Sequence, residues 1–112
     1  MQDLPVLDPV FHQVVRTHLA SLLNAGPCSF TELKHRLGVT DGNLDAHLRK
    51  LSAAGYLHSR MVLKDRPQTV YSFSPSGRRA FAAYVAGLEM IIGDAMNNDS
   101  PRQARVRRLN AT

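Results

Sequence analysis

Residues 29–55 read SFTELKHRLGVTDGNLDAHLRKLSAAG, and two short helices joined by a tight turn can be read from them directly. Ser29-Phe30-Thr31-Glu32 has the form of a capping box, in which the Ser29 hydroxyl and the Glu32 carboxylate satisfy each other's free backbone N–H groups. A short helix over about Phe30 to Leu37 should bury Phe30, Leu33 and Leu37. Gly38 then offers a left-handed helix end, Val39 an apolar plug, and Thr40 a hydroxyl cap for the next helix. In that helix, spanning 40–54 with its cap, Leu44, Leu48 and Leu51 form one stripe. Gly42, Asp45, Ala46, Arg49 and Lys50 fall on the opposite arc, with Asn43 at its edge. Gly55 ends it. The spacing is that of a helix-turn-helix.

Upstream, Asp8-Pro9 pairs an N-cap acceptor with a proline suited to the first helical position. The helix predicted to follow carries Phe11, Val14, Val15, His18, Leu19, Leu22 and Leu23 on one stripe, and Gly26-Pro27 stops it. Downstream of Gly55 the period changes to two. Leu57, Ser59, Met61 and Leu63 alternate with His58, Arg60 and Val62, and Thr69-Val70-Tyr71-Ser72-Phe73 is a second β-rich run. The two runs form a hairpin over 57–73 with a basic tip, joined by Lys64 to Gln68, where Pro67 limits pairing. Ser74-Pro75 opens a fourth helix, 75–96.

At 112 residues and 44% hydrophobic, the chain has the size and composition of one globular domain. Fourteen Lys and Arg against nine Asp and Glu leave a charge of +5, which favours a polyanionic partner. The charge is concentrated. Residues 30–80 hold nine cations and four anions, whereas 1–29 and 81–96 are slightly acidic. The last sixteen residues, 97–112, carry Arg102, Arg105, Arg107 and Arg108 against Asp99, and are expected to be a mobile basic tail beyond a 1–96 domain. A single cysteine, Cys28, allows no internal disulfide and no Cys-rich zinc site. The N-terminus lacks the pattern of a signal peptide and the longest apolar stretch is too short to span a bilayer, so a cytoplasmic protein without membrane association is expected.

Phe30-Thr-Glu-Leu-Lys, Leu37-Gly-Val-Thr-Asp-Gly-Asn-Leu, His47-Leu-Arg-Lys-Leu, Gly55-Tyr-Leu and Tyr71-Ser-Phe-Ser-Pro-Ser-Gly-Arg occur in this order. With them the chain resembles the small winged helix-turn-helix transcriptional regulators related to the MarR and ArsR groups, over about Asp8 to Leu88. The match departs at the wing tip, where relatives often carry a glycine and this chain has Lys64-Asp65-Arg66. The resemblance implies a mainly α fold with a small β-hairpin wing, dimerisation, and binding to double-stranded operator DNA.

In such a fold the second helix of the pair enters the major groove. Gly42 and Ala46 permit close approach, Asn43 suits adenine, and Arg49 suits guanine or a phosphate. Thr40 and the free N–H groups of that helix end, Asp41 among them, are candidates at the backbone, with His47 and Lys50 further along. Lys34 and Arg36 read as phosphate contacts, and Arg60, Lys64 and Arg66 of the wing are placed for an adjacent minor groove or its phosphates. A polar helix arc is as often a solvated face, and Asp45 repels phosphate, so the set rather than any one residue points to DNA. On the long last helix Phe81, Tyr84, Leu88, Ile91 and Ala95, widened by Val85, Ile92 and Met96, exceed what a small core covers. A second copy is the simplest cover, with folding back on the first helix as the alternative.

His12 and His18 are six apart, and His35, His47 and His58 are scattered, so no metal site is expected. Nor does any nucleophile, base and oxyanion-donor arrangement suggest an enzyme, and no cofactor is implied. Two other functions compete with an operator-binding repressor. One is a winged-helix module docking a protein on its last helix. The other is a metal or redox effector sensor with a site near His18, Tyr84 or Cys28.

Overall fold

The computed structural model describes residues 4–96, so the basic segment 97–112 lies outside the described residues. A 3₁₀ turn, Pro9–Phe11, precedes α1 (Val14–Ala25). The short strand β1 (Cys28–Ser29) leads into α2 (Phe30–Leu37) and α3 (Asp41–Ala53). The hairpin β2 (Leu57–Leu63) and β3 (Pro67–Phe73) and the long helix α4 (Pro75–Met96) complete the winged helix.

Local chemistry accounts for most of the boundaries. Ser29 Oγ accepts from the Glu32 N–H at 3.1 Å, and Thr40 Oγ1 accepts from the Asn43 N–H at 3.2 Å. Such a cap contributes about 1 kcal/mol. The capping box is half realised, because the Glu32 carboxylate turns forward to Arg36, 3.6 Å away. Between the two helices Gly38 sits at φ 64°, ψ 35°, a left-handed end that glycine adopts without steric cost.

The first helix departs from expectation. The Asp8 carboxylate does cap, accepting from the Val10 N–H at 3.0 Å, but it opens only the 3₁₀ turn. A second cap, Gln13 Oε1 accepting from the Arg16 N–H at 2.9 Å, starts α1 five residues after Pro9. The break lets Phe11 drop into the core. There it stacks on Tyr56 (5.5 Å between ring centroids) and meets the rings of Phe73, Phe81 and Tyr84 at 5.3–6.4 Å. It also resets the phase of the helix, so Leu19, Ala20 and Leu23 are buried while Val14 and His18, expected on the apolar stripe, face outward.

β1 was not visible in the sequence. Two residues are too few for a periodic signal, and the strand exists because Cys28 and Ser29 pair with Tyr71 and Val70 of β3. The antiparallel sheet has the order β1-β3-β2. Pro67, placed in the linker by the sequence, begins β3 opposite Leu63, leaving a turn of Lys64, Asp65 and Arg66. Proline is tolerated at the first position of a strand, where its missing N–H costs least. The alternation expected in β2 holds only at its base: Leu57 is half-buried, whereas Ser59, Met61 and Leu63 are exposed because the hairpin projects beyond the helices.

Ser74 caps α4, its Oγ accepting from the Gly77 N–H at 3.0 Å and donating to the Gly55 carbonyl at 2.7 Å. Gly77 is required here: a Cβ would overlap the backbone carbonyl of Tyr56. Phe81 and Tyr84, expected at a dimer interface, are instead core residues at 6% and 3% exposure. Tyr84 OH is hydrogen-bonded to His12 Nδ1 at 2.9 Å. Val85 and Leu88 pack against the same core.

Candidate nucleic-acid interface

With Leu44, Leu48 and Leu51 buried against the core, α3 turns Thr40, Asp41, Gly42, Asn43, Ala46, Arg49 and Lys50 to solvent. Gly42 is informative. Its φ is not positive, and a Cβ built on it would touch nothing within 4 Å. A glycine inside a helix costs about 0.5–1 kcal/mol relative to alanine, and neither backbone conformation nor internal packing accounts for it. Exposed Ala46 lies one turn on, so Gly42 and Ala46 make a strip of small side chains, bordered by the Asn43 amide and by the carboxylates of Asp41 and Asp45.

The charges around this bare strip are held rather than loose. Arg49 Nε lies 2.8 Å from Asp45 Oδ2, an i, i+4 pair whose arginine side chain is still 80% exposed. The contact through Nε sets the direction of the guanidinium while its terminal nitrogens remain at the surface. Lys34 of α2 reaches 2.8 Å to Asp41 at the start of α3, bridging the two helices of the motif. Solvent-exposed pairs of this kind are worth at most about 1 kcal/mol, so a phosphate can displace Asp41 or Glu32 from Lys34 or Arg36 at small cost.

His47 is the exception among the candidates. It is half-buried, and its Nδ1 lies 3.1 Å from Nη1 of Arg16, whose Nε donates to the Val10 carbonyl at 2.6 Å. Burial, with Arg16 and Lys50 nearby, holds the imidazole below its ordinary pKa. The neutral ring therefore accepts from Arg16 and fastens α3 to α1.

Arg60, Lys64 and Arg66 are exposed on the hairpin. Because β1 pairs with β3, the base of the wing lies beside α2, and Arg66, Pro67, Gln68 and Thr69 face Ser29, Phe30, Thr31, Glu32 and His35 across an open cleft. A shallower groove, lined by Thr31, Lys34, His35, Gly38 and Val39, continues along α2 toward the turn. Thus α2 links the wing and α3. Nothing in the sequence groups Thr31, His35, Gln68 and Thr69, since only the β1–β3 pairing brings them to this cleft.

Cys28 is buried in β1, and burial together with Glu32 pushes its thiol pKa up, which keeps it in the unreactive protonated form. At the other end of the molecule α4 runs past the core. Met90, Ile91, Ile92 and Met96 are 43–75% exposed, and Ala95 is exposed as well. The N-terminal segment crosses α4 at Gly87, where a Cβ would crowd Leu7 and Pro5, and its Leu4 and Val6 are left outside at 83% and 93% exposure. No helix among the described residues is long and apolar enough to cross a membrane.

A family model described as a winged helix DNA-binding domain matches residues 15–92. The chain belongs to the winged helix DNA-binding domain family. Among the relatives of this winged helix protein, an uncharacterized protein of Methanocaldococcus jannaschii, MJ0432, is 38% identical over 78 residues, spanning 68% of this chain and 85% of its own. A transcriptional regulator homologue protein from Pyrococcus horikoshii superposes with a TM-score of 0.74 at 26% identity, over 80% of this chain and 90% of that one. A structure from Enterococcus faecalis described as a MarR-family regulator gives 0.70 at 21% identity, over 80% and 83% of the two chains, and shares the fold. The winged helix-turn-helix resemblance read from the motifs is thereby confirmed.

Proposed function

We propose that this winged helix protein is a homodimeric transcriptional repressor that recognises operator DNA. The N-terminal half of α3 enters the major groove, and the wing lies on the flanking backbone or minor groove. The observation that carries this reading is the bare strip at Gly42 and Ala46. It gives a duplex the close access that base-edge contacts need, beside an amide that can pair with adenine and a guanidinium aimed by Asp45. Lys34, Arg36, Lys50, Arg60, Lys64 and Arg66 supply affinity by displacing counterions from phosphates. Repression is the output proposed because a dimer seated on operator DNA can block a promoter by occupancy alone.

Dimerisation is supported by the exposed apolar ends of α4 and of the N-terminal segment, which a two-fold partner would cover. Ile91, Ile92 and Ala95 remain candidates for that contact. A thiol-based sensor is disfavoured by the protonated, buried Cys28.

Binding to a preferred duplex, measured by fluorescence anisotropy across a salt series, tests the proposal. We expect log K to fall linearly with log salt at a slope of about −0.9 per phosphate contacted. Lys34→Ala should lower affinity alike for all sequences and make that slope shallower by about one contact, whereas Arg49→Ala should cost about 1–3 kcal/mol on the preferred duplex and relax its specificity. Salt-independent binding, or no binding, would contradict it.

A further inference from the structure

The wing carries an apolar face that the fold does not use. In the β2–β3 register Leu57 opposes Phe73, Met61 opposes Thr69 and Leu63 opposes Pro67, so these pairs lie on one side of the hairpin. At the base that side is core, with Phe73 buried and Leu57 packed on it. It then continues outward for about 13 Å beyond Ser59 and Tyr71 at the usual rise per residue. There it exposes Met61 at 67% and Leu63 at 75%, next to exposed Pro67. Exposed Lys64 and Arg66 of the turn border its outer end, against the turn's anion Asp65, and Arg60 adds a cation on the opposite side of β2.

An apolar platform bounded by a net positive charge fits an occupant that is anionic outside and apolar within. A DNA duplex has that construction, with phosphates along the groove edges and stacked bases between them. Leu, Met and Pro are also the side-chain types able to wedge between base steps from the minor groove. We propose that Met61, Leu63 and Pro67 form a wedge that the wing presses into the minor groove beside the α3 contact, partly unstacking a base step and bending the duplex toward the major groove. This rests on the operator-binding reading above and adds to it a deformation-based source of specificity: flexible pyrimidine–purine steps at the wing position would be preferred although no base-edge hydrogen bond reads them.

The test uses the full chain and a duplex it selects, with the double variant Met61→Thr/Leu63→Thr, because threonine keeps the strand preference while removing the apolar bulk. Circularly permuted duplexes report the bend, and 2-aminopurine at steps flanking the α3 footprint reports unstacking. We expect the native protein to bend the duplex by roughly 20° or more and to raise the fluorescence at one flanking step. The double variant should lose most of both signals yet keep the same base preferences under α3. If it melts early, Leu63→Thr alone serves, with a partial loss expected.

A straight duplex with the native protein, or a bend unchanged in the variant, would overturn the wedge while leaving operator binding intact. Loss of self-association in the variant with the bend unchanged would assign the face to a protein contact and equally overturn it. Failure to select any duplex would instead remove the operator-binding reading itself, and the wedge with it.

Discussion

At Gly42 stability and function point in opposite directions. Gly42→Ala meets open space and should stabilise the fold by about 0.5–1 kcal/mol, visible as a raised midpoint in chemical denaturation. The same methyl group would stand between α3 and the bases, and operator affinity should fall by roughly 1–3 kcal/mol, the usual cost of overfilling a close contact. A variant that is both more stable and unimpaired in binding would place α3 elsewhere. His47 offers a second test. Its pKa is lowered in the folded chain by burial, then by Arg16 and Lys50, so the unfolded chain takes up the proton first as pH falls. The contribution of this neutral ring is complete above the ordinary imidazole pKa and declines as pH drops below it toward the folded value. His47→Asn, which retains an acceptor near the Nδ1 position, should flatten the fall of Tm with decreasing pH in that window. An unchanged slope would mean that burial and the neighbouring cations do not hold His47 neutral in the folded chain.

Among the elements, those specified by neighbouring residues are legible in the amino-acid sequence itself. Ser29, Gly38 and Thr40 define α2, the turn and α3 through hydrogen bonds within three or four residues, and observed boundaries there agree with the reading. Where distant partners decide, the sequence was silent or misleading. β1 exists only against β3, α1 starts late because Phe11 is drawn into a ring cluster, and His47 turns to Arg16 rather than to solvent. In the candidate site the α3 strip was legible from helical periodicity, whereas the α2–wing cleft required the sheet pairing. Two substitutions examine this packing. Phe11→Ala, at a fully buried ring touching four others, should cost about 3–5 kcal/mol in urea unfolding. Gly77→Ala forces Tyr56 and α4 apart and should cost about 1–3 kcal/mol. Little effect from either would mean that the junction of wing and α4 is looser than its contacts indicate.

For the whole molecule, the proposed dimer needs a fixed separation between its two basic surfaces, and α4 is the element that can set it. Its first half is spent on the core through Phe81 and Tyr84, so the proposed partner contact would use the second half, around the exposed Ile91 and Ile92. Ile91→Glu/Ile92→Glu places charge on that surface, and sedimentation should show a monomer with a little-changed Tm. A persistent dimer would move the interface elsewhere. The central claim is that a paired α3 surface reads duplex sequence, and selection of bound duplexes from a randomised pool, followed by sequencing, tests it most directly. We expect enrichment of a two-fold symmetric motif with half-sites about one helical turn apart, degraded by Arg49→Ala. A pool that stays random after repeated rounds at moderate salt would contradict it.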